Sequence, residues 1–181
     1  MKWMIASDIH GSAKYCRAML ARFDAEGAQR LLLLGDLLYH GPRNDLPEEY
    51  QPKEVIALLN ARRERLLCVR GNCEAEVDQM VLSFPVMADY AVIPMEGRVF
   101  YATHGHHACE DAPPPLCPGD ILLCGHTHIP RCAEHEGFVY MNPGSISLPK
   151  AGSERSYMVY ENGRFAWKRL EDGTVYQEYS I

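Results

Sequence analysis

The sequence contains no run of basic residues and no long apolar stretch. Lys and Arg number 18 against 24 Asp and Glu, which gives a formal net charge of -6. Non-specific nucleic-acid binding requires a surface rich in Lys and Arg, so we expect none here. No apolar segment is long enough for the core of a signal peptide or for a membrane span, so we expect no membrane partner.

Closely spaced cysteine pairs are also missing. The seven cysteines are an odd number, are scattered along the chain and form no CxxC pair, which excludes the common structural zinc sites. Cys68 and Cys124 lie inside apolar segments, where we predict buried free thiols. This use of cysteine predicts a reducing cytoplasm rather than secretion.

Repeats, linkers and low-complexity segments are absent, so we predict a single domain over residues 1–181. The first half alternates strands with helices, which we expect to begin at Ser12, Pro52 and Glu74. Later segments are short and β-like, with a hairpin about Asn162-Gly163. This order predicts an α/β fold (α+β in some schemes), with two sheets packed face to face and helices outside.

Polar side chains follow five apolar strands. The clearest case is Leu31 to Leu34, a segment predicted to be buried on both faces, which runs into Gly35 and Asp36. Because open α/β sheets bind ligands beyond the carboxyl ends of their strands, we expect these side chains to share one site. The seven candidates are Asp8, His10, Asp36, Asn72, His104, His126 and His128.

These donors predict a metal site. Carboxylate, amide oxygen and imidazole suit Mn, Fe, Zn, Ni or Co, and seven ligands are enough for two ions if one carboxylate bridges them. We expect Asp36 to bridge, because its strand is the most buried and so, by this interpretation, the most central. Asp8 and His10 are two residues apart, as are His126 and His128, and an extended chain points both members of such a pair to one side.

Five blocks then carry a family resemblance. In order along the chain, they resemble the signature of the calcineurin-like metallophosphoesterases, and residues 142–145 resemble a further block of the small bacterial members. The stretch 40–44 and the cysteine at 73 are similar to the YfcE-type group of bacterial phosphodiesterases. The five blocks are Asp8-Ile9-His10-Gly11, Gly35-Asp36, Gly71-Asn72-Cys73-Glu74, His104-Gly105-His106 and Gly125-His126-Thr127-His128.

The resemblance implies a four-layer αββα sandwich of two mixed β-sheets flanked by helices, and a phosphoric diester hydrolase with two divalent ions. Mn²⁺ is the ion that it favours, and a hydroxide bridging the metals would attack phosphorus. The expected substrate is a small phosphodiester, with nucleotide-like diesters among the candidates. By motif, Asp8, His10, Asp36 and His128 would hold one ion, and Asp36, Asn72, His104 and His126 the other.

Cys73 departs from the family pattern, since many members have histidine there. A thiol is a weak proton donor and is uncharged when protonated, so we predict better hydrolysis of activated aryl or cyclic diesters than of alkyl diesters. The other interpretation is that Cys73 only packs beside the site. The catalytic candidates are Asp36, Asn72, His104, Cys73 and His40.

Residues close to the predicted ligands in the sequence are candidates for contact with the substrate, and two other functions are compatible with the same motifs. Arg43 suits bidentate phosphate contact, and His106 or His107 is a candidate to line the pocket. One alternative is a non-catalytic protein-binding scaffold of the same fold, which the complete ligand set disfavours. A phosphomonoesterase is another, although the sequence offers few pocket cations beyond Arg43. An exposed hairpin edge makes a homodimer a further candidate.

Overall fold

Eleven strands form two sheets in the computed structural model, which describes residues 1–181. The elements are β1 (Lys2–Ala6), α1 (Ala13–Ala25), β2 (Arg30–Leu33), α2 (Pro52–Asn60), β3 (Leu66–Cys68), α3 (Glu76–Val81), β4 (Tyr90–Met95), β5 (Arg98–Thr103), β6 (Asp120–Leu123), β7 (Arg131–Glu134), β8 (Phe138–Asn142), β9 (Ser156–Glu161), β10 (Arg164–Arg169) and β11 (Val175–Ser180). A 3-10 turn at Arg63–Arg65 precedes β3.

Both sheets are mixed. Sheet I has the order β11-β10-β9-β1-β2-β3, and sheet II has the order β4-β5-β6-β8-β7. In sheet I, β1, β2 and β3 run parallel, while β9 pairs antiparallel with β1. In sheet II, β5, β6 and β8 run parallel. The carboxyl ends of the parallel strands in the two sheets supply the polar residues of the site described below.

Strand β2 is not the most central strand, so that prediction is wrong. It is the second strand from the β3 edge of sheet I. It is nevertheless buried, because Leu31 and Leu33 pack under the helices while Leu32 and Leu34 face sheet II. Burial of a strand on both faces therefore reports how it is covered and not its place in the sheet.

The core between the sheets is rich in aromatic side chains. Tyr160, Phe165 and Trp167 of the β9–β10 hairpin pack there with Phe100 of β5. The hairpin turn is the predicted Asn162-Gly163, whose two residues have φ of 50° and 77°, as a type I′ turn requires. Through its aromatic side chains, the hairpin packs sheet I against sheet II.

The predicted α/β sandwich of two mixed sheets is confirmed, and α1 and α2 pack outside sheet I. The outer face of sheet II differs from the layer of helix implied by the family resemblance. Residues 105–119 form no helix, and Leu116 of this segment packs against the cluster of Leu122, Cys124, Phe138 and Tyr140. The run Pro113 to Pro115 explains the difference, because proline lacks the N–H that a helix interior needs.

Two local predictions also need correction. Helix α3 begins at Glu76 rather than Glu74, and Glu74 is instead buried at the site. Strand β7 was not predicted, since Arg131–Glu134 is polar and partly exposed and lacks an apolar run. No helix in the structure is both long enough and apolar enough to cross a membrane.

Candidate metal centre

The backbone is left-handed at five of the seven predicted ligands. Their φ values lie between 49° and 65°. The expectation that an extended chain aims each pair at one side is therefore wrong, although the pairs do reach one site. Such φ values are costly for residues with a Cβ, and they occur where the surrounding structure enforces them. The five residues are Asp8, His10, Asp36, His126 and His128.

One cluster joins the tips of β1 and β6. Asp8 Oδ1 lies 3.2 Å from His128 Nε2 and 3.5 Å from His10 Nε2. The two Nε2 atoms are 3.2 Å apart. On the far side of each ring, Nδ1 of His10 meets the carbonyl of Tyr39 at 2.8 Å, and Nδ1 of His128 meets the carbonyl of Leu148 at 2.6 Å. Because a carbonyl only accepts, both Nδ1 atoms donate, and Nε2 is left to bind a cation.

A second cluster joins the tips of β3, β5 and β6. His104 Nε2 lies 3.1 Å from Asn72 Oδ1 and 3.2 Å from His126 Nδ1. Its own Nδ1 meets the carbonyl of Leu34 at 2.6 Å, which fixes the ring as in the first cluster. His126 is the exception among the histidines, since it presents Nδ1 to the site.

Asp36 lies between the two clusters. Its Oδ2 is 3.6 Å from His10 Nε2 and 3.4 Å from His104 Nε2. Its Oδ1 accepts a hydrogen bond from the backbone N–H of Cys73 at 2.9 Å. One carboxylate oxygen is thus within reach of donors from both clusters.

The donor set fits divalent cations. Asp8 Oδ1 is fully buried and has no hydrogen-bond partner, which is costly for a carboxylate unless a cation is bound there. Sets of three donor atoms, each set within 4.8 Å, come from Asp8 with His10 and His128, and from Asp8 with Asp36 and His104. Nitrogen and oxygen donors in this mixture suit Mn, Fe, Co, Ni and Zn.

The protonation states of the carboxyl and imidazole groups in the site depend strongly on one another. Burial favours a neutral His104, but its hydrogen bond with Asp36 and the charges of Asp8 and Asp36 raise the pKa of His104 to about 9. Burial likewise disfavours the charged form of Asp8, yet His10 and His128 hold the pKa of Asp8 well below its usual range. Imidazolium therefore balances the carboxylates when no metal does.

Glu74 is a site residue that the sequence did not reveal. Its buried carboxylate accepts hydrogen bonds from the backbone N–H groups of Asp36 at 2.8 Å, Leu37 at 2.7 Å and Gly71 at 2.5 Å. Burial and the nearby Asp36 raise the pKa of Glu74 to about 6. Glu74 thus ties the tip of β2 to the tip of β3. Its place in the Gly71-Asn72-Cys73-Glu74 block was its only signal in the sequence.

The 142–145 block also has a positioning role that the sequence did not define. Ser145 Oγ donates to the backbone carbonyl of Asp8 at 2.8 Å, and Ser147 Oγ donates to the same oxygen at 3.0 Å. Asn142 donates to the carbonyl of Gly125 at 2.7 Å. These bonds hold two ligand-bearing turns in place.

A cavity of about 650 Å³ opens beside the clusters. It brings Arg43 and Cys73 together with ligands from both clusters, and it adds Asn44, Thr127 and Lys150, which were not predicted. A second cavity of equal volume is lined by none of the predicted ligands, so the chemistry assigns the first as the site. The lining residues are Asp36, Gly41, Pro42, Arg43, Asn44, Asn72, Cys73, His126, Thr127, His128 and Lys150.

Cys73 is a neutral thiol at this cavity. Burial and the Asp36 carboxylate raise the pKa of Cys73. Its Sγ accepts from Asn72 Nδ2 at 3.2 Å, and it lies within 4.8 Å of donor atoms of His10 and Asp36. It is thus close to the reacting centre without carrying charge.

His40 and His106 do not line the cavity. The His40 ring packs between Tyr39 and Tyr50, with centroid distances of 4.7 Å and 5.3 Å. His106 lies 5.4 Å from the ring of His104, and burial together with neighbouring imidazoles lowers the pKa of His106 to about 4. Catalytic or substrate roles for these two histidines stay predictions.

The raised pKa of His104 predicts pH-dependent metal binding. A cation must displace the proton on Nε2, so affinity should rise about tenfold per pH unit for each proton displaced, up to about pH 9. Calorimetric titration with Mn²⁺ at pH 6.5, 7.5 and 8.5, in two buffers of different ionisation enthalpy, measures affinity and proton release together. Equal affinity across this range, without proton release, would contradict the assignment.

Comparison with known proteins identifies the family. A family model for the calcineurin-like phosphoesterase superfamily domain matches residues 1–163. The phosphodiesterase YfcE of Escherichia coli K12 is 41% identical over 181 residues, which cover 100% of this chain and 98% of that protein.

Solved structures agree with this result. The structure of Yfce, a phosphoesterase from E. coli, matches with a TM-score of 0.97 at 41% identity and covers 100% of both chains. The structure of vacuolar protein sorting 29 from Cryptosporidium parvum has a TM-score of 0.60 at 20% identity, covers 99% of this chain and 98% of that chain, and shares the fold. The chain therefore belongs to the calcineurin-like phosphoesterase superfamily.

Proposed function

We propose that this chain hydrolyses small phosphodiesters with two divalent cations held at the strand tips. The observation that carries the proposal is the position of Asp36 Oδ2, 3.6 Å from a donor of one cluster and 3.4 Å from a donor of the other. Asp8, His10, Asp36 and His128 would hold one cation, and Asp36, Asn72, His104 and His126 the other.

The chain is a phosphoric diester hydrolase in this account. Its family and the phosphodiesterase name of a relative 41% identical over the full chain support that activity. The family is one of metallophosphoesterases, which use a divalent metal cofactor. We propose Mn²⁺ as that cofactor, with Fe, Zn, Ni and Co suited to the same donors.

The cations, when bound, would neutralise the phosphoryl oxygens and lower the pKa of a water molecule so that it can act as nucleophile. The protein's own groups set the geometry. The Cys73 N–H fixes Asp36, and the carbonyls of Tyr39, Leu34 and Leu148 orient three imidazoles. The Cys73 thiol faces the cavity as a weak, neutral donor to the leaving group.

A phosphomonoesterase is the second candidate. Lys150 joins Arg43 at the cavity, so the site has more positive charge than the sequence indicated. A non-catalytic scaffold is disfavoured by the completeness of the donor set. The two esterase activities and the scaffold function make different predictions for simple chromogenic substrates.

Three further proposals concern the whole chain. The chain folds as one domain, which is supported by two sheets that share a core. It works in the cytoplasm, which is supported by seven free cysteines. It forms a homodimer through the exposed edge beside the hairpin, which is supported by the exposed Val175 and Tyr176 of edge strand β11.

The activity is tested with bis-p-nitrophenyl phosphate and p-nitrophenyl phosphate after metal removal and titration with Mn²⁺. We expect Mn²⁺-dependent cleavage of the diester in preference to the monoester. The Asp36→Asn substitution should lower kcat/KM by about a hundredfold or more, because it removes the charge shared by both cations. Preference for the monoester would favour the second candidate, and no cleavage with Mn²⁺, Ni²⁺, Co²⁺ or Zn²⁺ would favour the scaffold.

The Cys73→His substitution tests the role of the thiol. An imidazole at this position would protonate a leaving alkoxide better than a thiol whose pKa is raised by burial. We expect kcat for an alkyl diester to rise about tenfold or more, and by less for an aryl diester whose leaving group needs no proton. Unchanged or lower activity on the alkyl diester would show that Cys73 only packs there.

A further inference from the structure

The cavity beside the proposed ligands is mostly polar, and Arg43 and Lys150 bring positive charge to it. All of its lining residues except Gly41, Pro42 and Cys73 have strongly polar or charged side chains, and the only carboxylate is that of the proposed ligand Asp36. The only aromatic rings that line it are the imidazoles of His126 and His128, which are themselves proposed metal ligands. A nucleobase would therefore find no Phe, Tyr or Trp ring on which to stack, whereas an anionic group would meet two positively charged side chains.

The two positively charged side chains of the cavity, Arg43 and Lys150, come from different loops. Arg43 belongs to the loop after β2, where Asn44 donates its side-chain N–H to the carbonyl of His40 at 2.9 Å. Lys150 follows β8, and its backbone N–H donates to the carbonyl of the ligand His128 at 3.2 Å. Both side chains are exposed. Hydrogen bonds hold the first loop at His40 and the second loop at His128.

Neither cation has a carboxylate partner within 4.0 Å. Several other exposed cations in this acidic chain are paired, as Lys14 is with Glu48 and Arg17 is with Glu49 and Glu54, whereas Arg30 and Lys53, which lie outside the cavity, are not. Arg43 and Lys150 thus keep their charge available in a cavity whose only carboxylate is that of the proposed metal ligand Asp36. A phosphate offers the fork-shaped partner that arginine prefers and the charge that lysine prefers.

The charge count argues for more negative charge than a simple diester carries. Two divalent cations with the carboxylates of Asp8 and Asp36 leave two positive charges at the centre. A phosphodiester supplies one negative charge, so the metal centre remains positive when the diester is bound. The diester therefore has no negative charge left over for Arg43 and Lys150 to balance. A terminal phosphate, which is a dianion near pH 7.5, would balance these two side chains.

Building on the proposed function, we propose that the preferred substrates are phosphodiesters that carry a second, terminal phosphate on one esterified alcohol. Arg43 and Lys150 bind this phosphate in the cavity, while the diester phosphorus lies at the metal centre. The two residues determine specificity and do not act on the reacting atoms.

Two matched substrates test this specificity. They are 3-methoxypropyl p-nitrophenyl phosphate and its 3-phosphonooxypropyl counterpart, which differ only in the terminal phosphate. In both, water adds to phosphorus, the bond to p-nitrophenolate breaks, and the protons of water pass to solvent. With Mn²⁺ at pH 7.5, we expect kcat/KM at least tenfold higher for the phosphorylated diester, mainly through a lower KM.

Substitutions then assign the preference to the two side chains. Arg43→Ala and Lys150→Ala should each lower the ratio of the two kcat/KM values about threefold or more, and the double variant should bring it near one. Lys53→Ala, which removes an exposed lysine of α2 outside the cavity, should keep the ratio. Calorimetry of the phosphorylated diester with EDTA-treated protein gives a readout without turnover, in which Lys150→Ala should weaken binding at least fivefold.

Three results would overturn the proposal while leaving the phosphodiesterase activity established. The first is a ratio of the two kcat/KM values near one in the unaltered enzyme. The second is an equal loss of kcat/KM on both diesters in the variants. The third is a loss of kcat/KM in the variants that is confined to the monoester p-nitrophenyl phosphate. The last two results would mean that Arg43 and Lys150 bind the reacting phosphoryl group. If neither diester is cleaved, the proposed function fails, and the calorimetric arm still decides whether Arg43 and Lys150 bind a terminal phosphate.

Discussion

The backbone hydrogen bonds of the Glu74 carboxylate are the interaction on which the geometry of the site depends. Three N–H groups from the turns after β2 and β3 converge on this one side chain. They fix the backbone of Asp36, while the Cys73 N–H fixes its Oδ1. Two buried carboxylates this close repel each other. N–H donors stabilise the Glu74 carboxylate, and the proposed cations would stabilise that of Asp36.

The site also depends on the contact between the sheets. Of the seven proposed ligands, Asp8, His10, Asp36 and Asn72 follow strands of sheet I, and the other three follow strands of sheet II. Each proposed cation therefore takes ligands from both sheets. The N–H of His126 donates to Asp8 Oδ2 at 3.1 Å, so one hydrogen bond crosses directly between them. The shared aromatic core and this crossing bond make the folded sandwich a precondition for metal binding.

The sequence was sufficient to predict that the seven proposed ligands lie close together, because each follows an apolar strand and the family motifs name the same positions. It was less informative about conformation. Extended and left-handed turns both bring alternate residues together, so the spacing of His126 and His128 did not distinguish them. Glu74 escaped prediction because its partners are backbone N–H groups, which have no sequence signature. Lys150 lines the cavity, and its backbone N–H bonds to the carbonyl of His128, a residue distant in the sequence.

The most direct test of the two-cation account is a crystal structure with Mn²⁺, in which anomalous scattering locates the ions. The account predicts two peaks per chain, about 3.5–4 Å apart. Both should lie within bonding distance of Asp36 Oδ2, and each should be bound by ligands from both sheets. A single peak held by Asp8, His10 and His128 alone, at saturating Mn²⁺, would contradict the account.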